Sequence, residues 1–126
     1  MRRVVVTGLG VVSPIGIGVD AFWNHLTHGV SGVGRITKFD AAGLPSQIAA
    51  EIAGFDPEAY LPRRDVVRTD TFIHFALTAS QQALADAKRE PSAGDARMGV
   101  SIGTSLGGLP LVLRPTTGCC RSRCGA

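Results

Sequence analysis

The chain has 126 residues, 44% of them hydrophobic, and a formal net charge of +3; that length is about one small domain. It contains no run of about eighteen apolar residues, so a membrane-spanning helix is not expected and the cytoplasm is the expected compartment. Arg114, Arg121 and Arg123 meet no acid in residues 110–126, leaving the first 109 residues neutral and without the basic, aromatic-interleaved face of a nucleic-acid reader.

The opening "RRVVVTGLGVVSPIG" predicts a strand over 3–7, whose three valines suit burial on both faces of a sheet. The glycines that follow resemble a dinucleotide loop only in part. Gly8 and Gly10 fit G-x-G-x-x-G, but Ser13 takes the third glycine's place and Pro14 follows where a phosphate-binding helix should open. No G-x-x-x-x-G-K-[ST] sequence is present. A secretory leader is not expected either, because Thr7, glycines, Ser13 and Pro14 interrupt the apolar run and no A-x-A cleavage site follows.

"GVDAFWNHLTHG" predicts a short amphipathic helix, with Asp20 as N-cap or first-turn acid, Phe22, Trp23 and Leu26 at helical spacing, and Gly29 as the stop. A loop-rich segment punctuated by Pro45, Pro57 and Pro62 contains one candidate strand, "SQIAAEI". Residues 65–88 then predict one long helix, with Val67, Ile73, Ala76, Leu77, Ala83, Leu84 and Ala87 on a buried face. "MGVSIGTSLGGL" predicts a second strand running into a glycine-rich turn. Strand, helix, irregular segment, helix, strand is the order of an α/β fold with neighbouring parallel strands.

Few side chains form a chemical constellation. His25 and His28 lie three apart on the first helix without a third ligand at matching spacing, the pattern of two surface histidines. Asp70 and His74, at i and i+4, predict a surface pair; Ser80 lies too far along the helix to complete a nucleophilic site with them. Arg63, Arg64 and Arg68, interleaved with Asp65 and Asp70, read as a solvated helix entry or as a docking face for an acidic partner. Cys119, Cys120 and Cys124, in "TTGCCRSRCGA", have neither the second pair nor the histidine of a zinc site. They also lack the base or helix terminus that makes a thiolate reactive.

In combination, "VVVTGLGVVSPIG", "FWNHLTHGVSGVGRITKFD", "FDPEAYL", "DTFIHFALTASQQALADA" and "GTSLGG" closely resemble the N-terminal part of the β-ketoacyl-acyl-carrier-protein synthases, the condensing-enzyme or ketosynthase family. The resemblance runs over residues 1–109. It implies an α/β, thiolase-like fold, present here as part of the first of two similar halves, in which "TGLGVVSPIG" is a first-strand loop shaped by glycines for close packing. It also implies decarboxylative condensation of an acyl thioester with malonyl-acyl carrier protein, needing no cofactor. In the family a cysteine takes the acyl group, and two histidines assist decarboxylation and stabilise developing negative charge. None of the three maps onto this sequence, since "TTGCCRS" arrives too early and His25, His28 and His74 stand at no histidine-motif position. The residue matching Leu106 contacts the acyl chain in similar enzymes, which makes Leu106 a candidate wall of an acyl pocket.

Residues 110–126 lose resemblance, acids and periodicity together, so a separate tail arising from a frameshift or truncation is the expected organisation. Poor solubility or a molten state is expected of less than half a fold. The resemblance implies acyl carrier protein and acyl or malonyl thioesters as partners, and a homodimer or ketosynthase heterodimer as the assembly; no nucleic acid or membrane is expected. Two alternatives stay open: a chain-length factor, the partner subunit lacking the cysteine, and a non-catalytic module docking carrier protein through Arg63, Arg64 and Arg68.

Overall fold

The computed structural model describes residues 3–90 and 96–108. These fall into two units, one built from 3–56 with 78–90 and the other from 57–77 with 96–108. The expected tail at 110–126, with its three cysteines, lies outside the described residues.

In the first unit the glycine-rich opening leads into a tight hairpin. Strand β1 (Val12–Ser13) pairs antiparallel with β2 (Gly16–Ile17) around the Pro14-Ile15 turn, and the Ser13 hydroxyl donates to the Gly16 carbonyl at 3.0 Å. Helix α1 (Val19–Thr27) follows, with Asp20 in its first turn as expected. Its end is a Schellman motif: Gly29 adopts φ 66°, its N–H donates to the Leu26 carbonyl at 3.2 Å, and the Val30 N–H donates to the His25 carbonyl at 2.9 Å. The predicted apolar face of α1 is largely uncovered, with Trp23 62% and Leu26 48% exposed.

A second antiparallel pair joins β3 (Gly34–Arg35) to β4 (Ile48–Ala49), the latter inside the expected "SQIAAEI" strand. Beyond the ladder, the Glu51 carboxylate accepts the Thr37 hydroxyl at 2.6 Å and the Thr37 and Lys38 amides. The Thr37 hydroxyl, then these amides and the Lys38 charge, hold Glu51 below the usual carboxylate range. A carboxyl depressed in the folded state stabilises above its ordinary value and ceases to do so as pH falls through the depressed one. Amide protection at Thr37 is therefore expected to drop in that acidic window, and Glu51→Gln to abolish the pH dependence; hydrogen exchange followed by NMR measures both.

The predicted 65–88 helix is two helices. α2 (Arg63–Arg68) ends at Thr69, whose backbone is extended (φ −118°, ψ 160°) and whose hydroxyl donates to the Asp65 carbonyl at 2.6 Å. α3 (Thr71–Asp86) starts after Asp70, whose carboxylate accepts the Thr71 N–H at 2.7 Å. A β-branched residue bonded back to i−4, followed by an aspartate capping the next helix, offers the backbone an alternative to continuing. The break also removes Val67 from the expected buried face, leaving it 78% exposed.

The two predicted parallel strands are not formed among the described residues. Residues 4–6 carry no ladder, and Val4, Val5 and Val6 are 96%, 73% and 80% exposed; residues 98–102 likewise carry none, with Val100 88% exposed. A strand buried on both faces needs a hydrogen-bonding neighbour and covering layers, and the described residues supply neither. Full burial is correspondingly sparse: Ala41 and Leu61 among apolar residues, His74 and Thr78 among polar ones.

Candidate functional site

The glycine loop is a packing device. A methyl group on Gly8 would stand 2.2 Å from the Ala83 carbonyl oxygen, and one on Gly10 1.9 Å from that of Ala79. Between these contacts the Leu9 N–H donates to Asp86 Oδ2 at 2.9 Å and the Val11 N–H to Gln82 Oε1 at 3.0 Å. The registers match: alternate residues of an extended chain are spaced about 6.6 Å, and residues four apart on a helix about 6 Å. Donors that a phosphate loop would present to an anion are thus bonded to helix side chains. The chain then enters the β1–β2 hairpin, where a nucleotide fold would open a helix.

The histidines are accounted for by local bonds. His25 Nδ1 donates to the Ile15 carbonyl and His28 Nδ1 to the Asn24 carbonyl, the latter at 2.7 Å, and both side chains are exposed. Among the described residues no group of three or more potential metal ligands occurs. The expected Asp70–His74 surface pair is not made. His74 is buried, 6% exposed, and its Nε2 lies 3.0 Å from Thr69 Oγ1. Because that hydroxyl gives its only proton to the Asp65 carbonyl, it accepts from His74, which places the imidazole proton on Nε2. His74 fastens the α2–α3 corner.

In the second unit, α2 presents Arg63, Arg64 and Arg68, all exposed. Arg63 Nε lies 3.8 Å from Glu58 Oε1 and Arg64 Nε 3.3 Å from Asp65 Oδ1, with both arginine side chains more than 80% exposed. Such exposed pairs hold each charge by about 1 kcal/mol at most, so their neutralisation is easily exchanged for a partner's carboxylates. Arg68 has no ionic partner among the described residues. Arg64 and Arg68, one turn apart, flank the exposed Val67, which makes a small cationic patch with an apolar centre.

Leu106 lies on the Ser105–Gly108 bend, 71% exposed. In the same unit the first turns of α3 form a cavity of about 320 Å³ lined by Phe72, Ile73, Ala76, Leu77, Ile102, Gly103 and Thr104. Leu106 is not among its lining residues. The helical spacing of Ile73, Ala76 and Leu77 signalled a buried face; Phe72 and the 102–104 wall had no such signal, because a loop's approach to a helix leaves no period in the sequence.

Comparison with known proteins gives one family. The model described as "Beta-ketoacyl synthase, N-terminal domain" matches residues 1–118. A 3-oxoacyl-[acyl-carrier-protein] synthase 2 of Coxiella burnetii is 47% identical over 112 residues, which are 88% of this chain and 27% of the relative. A putative polyketide beta-ketoacyl synthase 2 of Streptomyces coelicolor is 45% identical over 106 residues, 84% of this chain and 25% of the relative. Among solved structures, the ishigamide ketosynthase/chain length factor superposes with a TM-score of 0.62 at 36% identity, over 71% of this chain and 22% of that one. The chain spans about a quarter of the length of these curated relatives. Its fold is accordingly α/β and thiolase-like, in part.

Proposed function

The chain belongs to the β-ketoacyl synthase family, whose N-terminal domain it carries, and on that premise we propose that it is the N-terminal portion of a 3-oxoacyl-acyl-carrier-protein synthase of fatty-acid or polyketide synthesis. In this reading the whole protein takes an acyl group from a carrier thioester onto a cysteine, releasing the carrier thiol. Malonyl-acyl carrier protein loses carbon dioxide, and the resulting enolate attacks the acyl carbon and expels the cysteine thiolate. The cysteine and the two assisting histidines belong to the part of the relatives that this chain does not span, and this chain alone is inactive.

Two features of the chain have a place in that chemistry. Leu106, on its exposed bend, is one wall of the acyl pocket. The α2 patch of Arg63, Arg64 and Arg68 receives the acidic acyl carrier protein, with Val67 as the apolar contact at its centre. The match across residues 1–118 carries the reading. A second reading, a chain-length factor paired with an active ketosynthase, is favoured by the name of the structural neighbour. Under either reading, Arg64→Glu with Arg68→Glu is expected to weaken binding of acyl carrier protein about tenfold or more, with the loss shrinking as salt rises. Titration by calorimetry decides it: no complex with the unaltered chain at low salt removes the docking role. Condensation by the full-length protein, lost on replacing its cysteine, separates the ketosynthase from the chain-length factor.

A further inference from the structure

The bend that carries Leu106 is built from residues that do not hold a shape by themselves. Gly107 and Gly108 are consecutive, and Gly108 takes φ 83°, a conformation open to glycine at no steric cost but not imposed by it. A pair of such residues wanders unless something external docks it. That something is the ring of Phe72 at the start of α3: a methyl group on Gly107 would lie 2.7 Å from both Cδ2 and Cε2 of Phe72 and 2.7 Å from Thr104 Oγ1, and one on Gly108 would lie 3.4 Å from Phe72 Cε1. Glycine backbone therefore sits directly on the ring, in space no side chain could enter. Phe72 also lines the apolar cavity of this unit, so the same ring faces the cavity and supports the bend.

We propose that Phe72 is a positioning residue for acyl-chain selection: its ring sets where the Gly107-Gly108 backbone crosses α3, and so fixes where the Leu106 side chain stands. The proposal rests on Leu106 contacting the acyl chain. Ile73, Ala76 and Leu77 line the cavity, but none of them supplies the atoms nearest to a methyl group at either glycine, and they are not assigned this part. A smaller residue at 72 leaves a gap under the glycines, which regain their freedom, and Leu106 then discriminates less between chain lengths.

The test uses the full chain and two readouts: backbone order parameters of Leu106 and Gly107 from NMR relaxation, and binding of a short and a long saturated acyl-pantetheine thioether. Phe72→Leu is expected to lower both order parameters from about 0.85 to about 0.6 or below and to flatten the preference between the two thioethers, and Phe72→Tyr, which keeps the ring, to restore both. Unchanged order parameters and unchanged preference in Phe72→Leu overturn the proposal. Should Phe72→Leu also lose protection along α3, Gly107→Ala lifts the bend off the ring from the other side and is read in the same way. Leu106→Phe tells two failures apart. A preference that it leaves unchanged overturns the acyl-contact reading itself; a preference that it alters while Phe72→Leu does not overturns the positioning role alone.

Discussion

Replacing Gly10 with alanine is expected to detach the 8–11 segment from α3. The added methyl would meet the Ala79 carbonyl oxygen at 1.9 Å and the Ala83 amide nitrogen at 2.9 Å, and both belong to a helix backbone that cannot swing aside. Overpacking typically costs about 1–3 kcal/mol where side chains can yield; against rigid backbone the upper end applies, about 3 kcal/mol. Amide protection at Leu9 and Val11 should then fall about a hundredfold, because the segment must leave before the helix can accommodate it. Asp86→Ala is the control. It removes only the exposed bond to the Leu9 N–H, and should lower protection at Leu9 while leaving Val11 on Gln82. Equal, small effects for the two variants would show that the segment is held by its hydrogen bonds and not by glycine packing.

Thr78→Val is expected to act in the opposite direction. Thr78 is fully buried in α3, with 0% exposure, and its hydroxyl has no partner among the described residues. A buried hydroxyl without a partner has lost its water for nothing, at a cost of about 1–3 kcal/mol. Valine has nearly the same shape and no such group to satisfy, so protection of the α3 amides around position 78 should rise by about tenfold. A fall in protection would mean that the hydroxyl is engaged in solution, and Thr78→Ser would then retain what Thr78→Val loses.

The two variants probe a helix whose two ends serve different ends of the chain. The last turns of α3, through Ala79, Gln82, Ala83 and Asp86, hold the glycine loop. The first turns line the apolar cavity and support the Leu106 bend. No helix among the described residues is long and apolar enough to cross a membrane.

What was legible in the sequence was local chemistry. The Phe22, Trp23, Leu26 spacing and Gly29 marked α1 and its stop, and Gly29 does close a Schellman motif. The missing third glycine and Pro14 argued against a phosphate loop, and the Leu9 and Val11 donors are bonded to α3. Motif combinations identified the family, and the family match bears that out. Misreadings came where neighbours decide. One continuous apolar period over 65–88 concealed a break that a single hydroxyl and a single capping carboxylate make at Thr69 and Asp70. Asp70 and His74 had the spacing of a surface pair, yet the break turns His74 inward onto Thr69.

By itself, then, the sequence determined the family, the first helix with its glycine stop, and that the opening glycines form no phosphate loop, because each depends on residue type, spacing or backbone freedom within a few turns of chain. Only the tertiary structure decided that Gly8 and Gly10 rest on Ala79 and Ala83, that Phe72 lies under Gly107, and that the valines at 4–6 and 100 stand exposed without ladders. Close approach between segments far apart in sequence leaves no period to read, and a strand exists only where another strand answers its hydrogen bonds.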